Sequence, residues 1–340
     1  MQTKTTTMQD VADLAKVSKT TVSHVLNETR PVSEEKRKRV LSAIKELRYQ
    51  PNILARSLRK RETGTIGLIV PNNANPFYAE VSMGVESLCF DEGYNVILCN
   101  SNRDLEKEIA YTELLINKRV DGILFVGAWA GEHTQHLDKI FQQGIPLAVV
   151  DRFVPDLDID SIRTDNHLGG WLATSHLIGL GHKRISCIGG TPEFTPNAER
   201  IMGFQKAMCD AGIDIDEDLI VRMNFQFEDG LKAAQHLLSL ENRPTAIFAC
   251  NDLMAIGAMR AAIDLGFRIP EDISIVGFDN IQMAKFTCPQ LTTIAQPMFE
   301  MGKLGAKLLL ERIRNDSLTQ RNSVLEPELV VRQSTSRFPK

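Results

Sequence analysis

The sequence predicts an α/β protein in which three short N-terminal helices precede two successive halves, each built on a doubly wound parallel sheet. Apolar positions between residues 11 and 47 recur with helical spacing. From Thr65 onward, brief and nearly continuous apolar runs alternate with helical stretches, which is typical of buried parallel strands. At 340 residues, the chain is also long enough for more than one domain.

Two short helices are predicted within residues 11–27, where two apolar faces are separated by a break at residues 16–18. Ser18 is a favourable N-cap for the second helix, because its hydroxyl can accept a hydrogen bond from an amide of the first turn. Two short helices joined by such a turn form a helix-turn-helix, whose second helix fits the major groove of DNA. The pattern alone is equally compatible with a helical hairpin that has no DNA-binding role.

A third helix is predicted after a polar turn, with Ser33 as its N-cap and an end near residue 47. Its inward stripe is expected to consist of Val40, Leu41, Ile44 and Leu47. Residues 52–60 then form a short, basic and amphipathic segment, and a helix of this length is marginal by itself in water. The segment is interpreted either as a linker or as a helix that forms only when DNA and a partner copy support it.

The rest of the chain is interpreted as two consecutive α/β halves, the first ending near residue 160 and the second starting near residue 162. Strands are predicted at 65–70, 94–99, 121–126, 145–150, 184–190, 245–250 and 273–279. Helices are predicted at 77–92, 105–118, 133–143, 167–180, 197–211, 229–240, 252–265 and 297–314. Open parallel sheets bind ligands beyond the carboxyl ends of their strands, so two facing halves would hold a small molecule in the cleft between them.

Charge is distributed unevenly along the chain. Residues 1–63 contain 14 Lys and Arg against 7 Asp and Glu, whereas the remainder contains 25 against 36. A basic head on an acidic body suits a polyanion-binding module joined to a second function. The apolar content of 43% and the charged content of 24% are those of a soluble globular protein.

Several classes of protein are disfavoured by what the sequence lacks. The N-terminus has no apolar signal-peptide core and no run approaches the ~18 apolar residues of a membrane span, so a cytoplasmic protein with no membrane partner is expected. The six cysteines are scattered without a CxxC pair, which indicates buried thiols and no metal site. No phosphate loop or grouped nucleophile and base emerges, so neither an enzyme nor a cofactor is predicted.

Motifs along the whole chain then identify a family. They are DVADLAKVSKTTVSHVLN, VSEEKRKRVLSAIKELRYQPN and LARSL near the N-terminus, followed by NPFYAEVSMGVE, KRVDGILF, NDLMAIGAMRA, VGFDN and LTTIAQP. With these motifs the sequence resembles the LacI/GalR family of bacterial repressors, and it is closest in appearance to the ribose-repressor branch. The resemblance implies a homodimer whose heads bind double-stranded operator DNA. It also implies a body like that of periplasmic sugar-binding proteins, which binds a small effector in its cleft.

The resemblance assigns DNA contacts to the second helix. The positions that read bases in the family are matched by Lys19, Thr20 and His24. Phosphate contacts are expected from Ser18, Thr21, Ser23 and Asn27, with ordinary helix-surface polarity as the alternative for Thr21 and Ser23. His24 replaces the family's common arginine, which leaves the operator sequence open.

Three further positions within residues 1–63 bear on DNA binding. Leu58 matches the family's minor-groove wedge and Ala55 lies beside it, with packing into the body as the alternative for Leu58. Lys16 occupies a turn position where the family often has glycine or asparagine. A left-handed backbone there would be mildly strained for lysine.

A sugar site needs aromatic faces against C–H surfaces and charged or amide groups against hydroxyls. The sequence offers such side chains at the predicted strand ends and in the following loops: Asn75, Phe77, Tyr78, Asp151, Arg152, Arg200, Phe225, Asn251, Asp279 and Gln296. Ordinary alternatives are helix capping for Asp151, Asn251 and Asp279, core packing for the phenylalanines and structural ion pairs for the arginines. As a set, these residues resemble the sugar contacts of the periplasmic ribose-binding protein, with Tyr78 where that protein has a second phenylalanine.

This second resemblance favours ribose or a similar pentose as effector. Two arginines in one pocket are equally suited to a carboxylate, so a sugar acid such as 2-keto-3-deoxygluconate is the alternative. A sugar-binding module without a DNA role is a further alternative, which the basic head disfavours. In another branch of the family, a phosphorylated carrier protein is the corepressor, and an aspartate and an arginine of the repressor contact it. Glu300 and Lys307 occupy these positions here. Lysine cannot reproduce a bidentate guanidinium contact, which disfavours such a corepressor.

The expected domain bounds follow from these assignments. Residues 1–50 form the DNA-binding domain, residues 51–63 the hinge helix and linker, and residues 64–340 the effector-binding and dimerisation domain. Within the last domain, the N-subdomain is expected to comprise about 64–161 and 292–322, and the C-subdomain about 162–291 and 323–340.

Overall fold

The computed structural model describes residues 6–27, 30–49, 62–127, 135–154, 157–190, 195–315 and 317–338. These residues belong to two units, one within residues 1–63 and one within residues 64–340. Among the described residues, no helix is long and apolar enough to cross a membrane.

The described residues of the N-terminal unit form three helices: α1 (Met8–Ala15), α2 (Lys19–Asn27) and α3 (Glu34–Glu46). Their shared core includes Val11, Val22 and Val40, which are 0% exposed. The expected inward stripe of α3 is wrong at Leu41, which is 49% exposed, whereas Ala43 is buried. Residue 43 lies three positions after Val40 and therefore on the same helix face, while residue 41 is turned about 100° away.

Within its described residues, the second unit contains two six-stranded sheets. In the first sheet the strand order is β11-β5-β4-β3-β1-β2, and in the second it is β12-β10-β9-β8-β6-β7. Neighbouring strands are parallel except for the pair β10 and β12. The strands are β1 (Thr65–Val70), β2 (Asn95–Asn100), β3 (Gly122–Val126), β4 (Leu147–Val150), β5 (Asp160–Thr164), β6 (Ile185–Gly190), β7 (Ile220–Met223), β8 (Ala246–Ala249), β9 (Ser274–Asp279), β10 (Thr292–Ala295), β11 (Asn322–Leu325) and β12 (Glu328–Val330).

Helices cover both sheets and define two lobes. The first lobe holds α4 (Pro76–Asp91), α5 (Leu105–Asn117), α6 (Gln135–Gln142) and α11 (Met298–Arg314). The second lobe holds α7 (Asn166–Gly179), α8 (Thr195–Asp210), α9 (Phe227–Ser239) and α10 (Asp252–Asp264). Helices α4 and α11 approach so closely that a Cβ added to Gly84 would lie 2.0 Å from the carbonyl oxygen of Phe299, which explains glycine at that position.

The predicted α/β architecture with two doubly wound parallel sheets is confirmed, and each of the seven predicted strands is present. Five further strands, β5, β7, β10, β11 and β12, were not predicted. They are three to five residues long and, apart from β10, contain charged or amide side chains, so they lack the continuous apolar run that marked the others.

The expected subdomain bounds are wrong by a few residues at the crossings between the lobes. Residues 160–162 of β5 pair with β4, and residues 161–164 pair with β11, all in the first sheet, so the first lobe continues past residue 161. Strand β10 pairs with β9 in the second sheet, so the second lobe continues to residue 295 and not only to 291. Strand β11 pairs with β5 in the first sheet, so the first lobe continues to residue 325 and not only to 322. The reason is that a short strand belongs to whichever sheet supplies its hydrogen-bonding neighbour, and for β11 this neighbour is distant in sequence.

Candidate functional site

The turn between α1 and α2 has the geometry of a capped helix-turn-helix. The hydroxyl of Ser18 accepts a hydrogen bond from the backbone N–H of Thr21 at 3.1 Å, which confirms Ser18 as the N-cap of α2. At the third helix, Ser33 occupies the N-cap position but its side chain makes no capping hydrogen bond. Lys16 ends α1 in a left-handed conformation with φ 53° and ψ 50°, and its backbone N–H donates to the carbonyl of Asp13 at 3.2 Å.

The start of α2 carries most of the predicted DNA-contacting side chains. Lys19 and Thr20 are exposed, and Thr21, Ser23 and His24 are half-buried. Asn27 is the last residue of α2, and the positions of Ala55 and Leu58 lie outside the described residues. The exposed first turn of a capped helix is the part that can meet base edges in a major groove.

In the second unit, one pocket lies between the two lobes at the carboxyl ends of their strands. It is lined by Asn75, Phe77, Tyr78, Arg103, Asp151, Arg152, Pro196, Asn197, Arg200, Phe225, Asn251 and Asp279. All predicted effector residues except Gln296 are in this set. The amide nitrogen of Gln296 donates to Oδ1 of Asp279 at 2.7 Å, so Gln296 contacts a lining carboxyl group.

Two of the predicted pocket residues cap helices. The Oδ1 atom of Asn75 accepts from the backbone N–H of Phe77 at 3.0 Å at the start of α4. The Oδ1 atom of Asn251 accepts from the backbone N–H of Met254 at 2.8 Å, and its amide nitrogen donates to the carbonyl of Phe225 at 3.1 Å. Capping and pocket lining are therefore combined in these side chains, because each helix starts at the edge of the pocket.

Asp151 and Asp279 are not helix caps. Asp151 follows β4 and Asp279 is the last residue of β9, with φ of 70° and 113°, a backbone region that non-glycine residues rarely occupy. Burial raises the pKa of Asp151 to about 6 and the pKa of Asp279 to about 7, although the nearby charge of Arg200 lowers both. Among the described residues, no hydrogen-bond partner reaches the buried Oδ1 atom of Asp151 or the buried Oε1 atom of Gln296.

Arg200 is held by groups of the second lobe. Its Nε donates to Oδ1 of Asn166 at 2.8 Å, and its Nη1 donates to the carbonyl of Cys250 at 2.6 Å. Its guanidinium carbon lies 3.8 Å from the centre of the Phe278 ring, which is a cation–π distance. These contacts orient a permanent positive charge toward the pocket.

The first lobe supplies a second cation and an aromatic pair. Burial lowers the pKa of the Arg152 guanidinium, and the charge of Asp151 partly offsets this effect. The rings of Phe77 and Tyr78 meet edge to face, with centroids 5.1 Å apart. Burial also raises the pKa of the Tyr78 phenol, so this hydroxyl is protonated at neutral pH and can donate a hydrogen bond.

Three lining residues were missed by the sequence analysis: Arg103, Pro196 and Asn197. Arg103 follows β2, so a search of the loop after every predicted strand would have found it. Both amide atoms of Asn197 bond to the backbone of Gly190, at 2.6 and 2.7 Å, which gives this side chain a structural role. Within the described residues, no group of three or more His, Cys, Asp or Glu side chains is placed to hold a metal ion.

Comparison with known proteins supports both units. The family model "Bacterial regulatory proteins, lacI family" matches residues 7–52, and the model "Periplasmic binding protein-like domain" matches residues 174–335. The chain is 43% identical over 333 residues to the HTH-type transcriptional repressor PurR of Vibrio vulnificus (strain CMCP6), covering 98% of this chain and 99% of that protein.

The chain is also 42% identical over 328 residues to the ribose operon repressor of Haemophilus influenzae (strain ATCC 51907 / DSM 11121 / KW20 / Rd), covering 96% of this chain and 98% of that protein. Among solved structures, a lac repressor dimer bound to operator and the anti-inducer ONPF is similar, with 28% identity and a TM-score of 0.89 over 98% of this chain and 100% of that one. These similarities extend over both units and remove the alternatives of an enzyme and of a sugar-binding module without a DNA role. The chain belongs to the LacI/GalR family and is a DNA-binding transcriptional repressor that carries an effector-binding domain.

Proposed function

We propose that this repressor controls carbohydrate-utilisation genes in the cytoplasm in response to a small sugar, with ribose or a similar pentose as the favoured effector. The observation that carries the proposal is the pocket between the lobes, where the carboxyl groups of Asp151 and Asp279 and the guanidinium groups of Arg152 and Arg200 line one cavity. Such a mixture of acceptors and donors suits a compact molecule with hydroxyls on all sides.

An unsatisfied acceptor of the pocket supports a ligand that carries donors. A buried acceptor without a partner costs free energy, so Oδ1 of Asp151, which lines the pocket, favours a ligand that donates to it. Ring hydroxyls can donate to this atom and accept from the arginines at the same time. Phe77 and Phe225 supply the apolar surface that the C–H faces of a sugar require.

Two other effector classes have specific support. The positive charges of the pocket also suit the carboxylate of a sugar acid such as 2-keto-3-deoxygluconate. The PurR relative, whose sequence is 43% identical, makes a purine the second candidate. A purine has a flat aromatic face and few N–H donors, so it would satisfy fewer of the buried acceptors than a pentose does.

Isothermal titration of the full chain with ribose, 2-keto-3-deoxygluconate and hypoxanthine separates these classes. We expect saturable heat from ribose. Heat from the sugar acid alone would move the assignment to that class, and heat from hypoxanthine alone would overturn the sugar proposal.

For the DNA-binding unit, we infer that Lys19, Thr20 and His24 read base edges and that Ser18, Thr21, Ser23 and Asn27 contact phosphates. Leu58, with Ala55 beside it, is proposed to enter the minor groove next to its counterpart from the second subunit and to kink the DNA there. The effector and the operator are then coupled, because each favours one closure state of the lobes. A carrier-protein corepressor is not proposed, because Lys307 cannot make the bidentate hydrogen bonds of an arginine guanidinium group.

A further inference from the structure

We propose that Arg103 is a positioning residue of the effector pocket: it joins the two lobes across the cleft and thereby sets how long the effector stays bound. Its Nη1 atom donates to the backbone carbonyl of Asn224 at 2.7 Å, and its guanidinium carbon lies 5.5 Å from the centre of the Phe225 ring. Arg103 belongs to the first lobe, and the other two residues belong to the second. The effect on residence time depends on the proposed function, whereas the effect on cleft closure does not.

The topology places this contact where it has the largest effect on opening. Arg103 follows β2 and Asn224 follows β7, and these are the strands at one edge of their respective sheets. The chain crosses between the lobes after β5, β10 and β11, which lie at or next to the opposite edge. An opening motion about the crossings displaces the far edge most, so a bond at that edge resists opening more than a bond near the crossings would.

Both partners are held firmly by their own lobes. On the first lobe, the carboxyl group of Asp104 caps α5 by accepting from the backbone N–H of Lys107 at 3.2 Å. On the second lobe, the Phe225 ring lies over Gly190, where an added Cβ would lie 2.1 Å from Cε2 of the ring. Arg103 and Phe225 themselves have φ of 57° and 65°, and such left-handed backbones in large residues persist only when the surroundings impose them.

The contact also lies within the pocket rather than at a remote surface. Both Arg103 and Phe225 line the cavity. The Arg103 charge is near enough to lower the pKa of Tyr78 and the pKa of Arg152. A ligand that leaves the pocket at this edge must therefore break the Arg103 contact or pass beside it.

Arg103→Ala tests the proposal, with Arg119→Ala as the matched control. Arg119 is exposed, lies on the same lobe and also has a left-handed backbone, with φ 56°, but it is not part of the pocket lining. Arg103→Lys serves as the rescue variant, because lysine keeps the charge and one donor for the carbonyl of Asn224.

Cleft closure is measured first, without effector, so that the result does not depend on the proposed function. Spin labels are placed at Lys107→Cys and Glu228→Cys, in a background where the exposed cysteines Cys209 and Cys288 are replaced by serine. Labelled chains are diluted with an excess of unlabelled protein, so that most labelled subunits have an unlabelled partner. Pulsed electron paramagnetic resonance then measures the distance between the two labels within one subunit. We expect longer distances in Arg103→Ala, a partial return in Arg103→Lys and the unchanged distribution in Arg119→Ala.

The dissociation rate of ribose is then measured by stopped flow. We expect an increase of about three- to tenfold in Arg103→Ala, where tenfold corresponds to about 1.4 kcal/mol. Equal distance distributions and equal rates in both alanine variants would overturn the proposal. If ribose does not bind the wild-type protein, the proposed effector fails, but the distance measurement still decides the role of Arg103.

Discussion

The Nη1 atom of Arg200 lies 3.6 Å from Oδ1 of Asp279, and both side chains are only 6% exposed. The same arginine also lowers the pKa of Asp151, which belongs to the other lobe. One cation therefore acts on two buried carboxyl groups that belong to different lobes. Its position within the pocket depends on the Nε and Nη1 hydrogen bonds to Asn166 and Cys250.

Arg200→Lys should lower effector affinity by at least about tenfold, because lysine retains the charge but cannot contact Asn166 and the carbonyl of Cys250 together. A buried acceptor that loses its donor costs about 1–3 kcal/mol. Titration calorimetry and thermal unfolding of the full chain measure the two effects. Arg260→Lys is the control, because Arg260 is 61% exposed in a surface ion pair. Equal losses in both variants would contradict the assigned role of Arg200.

The raised pKa of Asp279 predicts how stability depends on pH. The folded protein holds this proton up to about pH 7, whereas the unfolded chain releases it near the ordinary aspartate pKa of 3.8. The free energy of unfolding should therefore fall as the pH rises through this window. Since a tenfold change in proton affinity is worth about 1.4 kcal/mol, the contribution is on the order of 4 kcal/mol.

Urea unfolding of wild type and Asp279→Asn at pH 5, 6, 7 and 8 measures this contribution. The asparagine variant should gain stability relative to wild type as the pH rises. Asp91→Asn, at an exposed position, should follow the wild-type profile. Parallel profiles for wild type and Asp279→Asn would show that Asp279 titrates as it does in the unfolded chain.

Lys16→Gly should stabilise the helix-turn-helix. A left-handed backbone costs an L-residue roughly 1–2 kcal/mol, and the greater freedom of glycine in the unfolded chain offsets about 0.5–1 kcal/mol of the gain. We expect amide exchange in α1 and α2 of the full chain to slow by about two- to fivefold. Lys38→Gly, within α3, should have the opposite effect, because glycine destabilises a helix interior. Faster exchange in Lys16→Gly would contradict the assigned strain.

Lys19→Ala should relax base preference at one position in each operator half-site. A specific contact between a basic side chain and a guanine is worth about 1–3 kcal/mol. The ratio of affinities for the preferred base and the other bases should therefore fall about tenfold. Selection from randomised operator fragments measures this preference. Lys36→Ala, an exposed position on α3, should leave the selected sequence unchanged. An unaltered preference in Lys19→Ala would assign Lys19 to phosphate contact.

Leu58→Ala should lower specific operator affinity by about tenfold while the effector-binding unit stays folded, because the wedge loses buried apolar surface worth about 1–2 kcal/mol. Gel-shift titration and the thermal unfolding of the full chain measure the two properties. Leu41→Ala is the control, as this leucine is 49% exposed in the same unit. Unchanged operator affinity in Leu58→Ala would contradict the assignment of Leu58 to the minor groove.

By itself, the sequence was sufficient to determine the helices of the head, the seven strands with continuous apolar runs and most of the pocket residues. Helical and strand periodicities are local properties, so Val11, Val22 and Val40 reveal their helix faces without reference to distant residues. Asp151 and Asp279 were found for a related reason. Asp151 directly follows a buried parallel strand and Asp279 ends one, and the carboxyl ends of such strands define a ligand edge.

Only the tertiary structure decided which segments pair and which charges meet. Strand β11 is assigned to the first sheet by its pairing with β5, which lies far away in the sequence. The contact from Arg103 to the carbonyl of Asn224 spans 121 residues, and neither residue carries a local pattern that predicts the other. The raised pKa of Asp279 likewise arises from burial between the lobes. These properties depend on long-range packing, which fixes distance and dielectric environment, whereas sequence periodicity reports only which face of each element is buried.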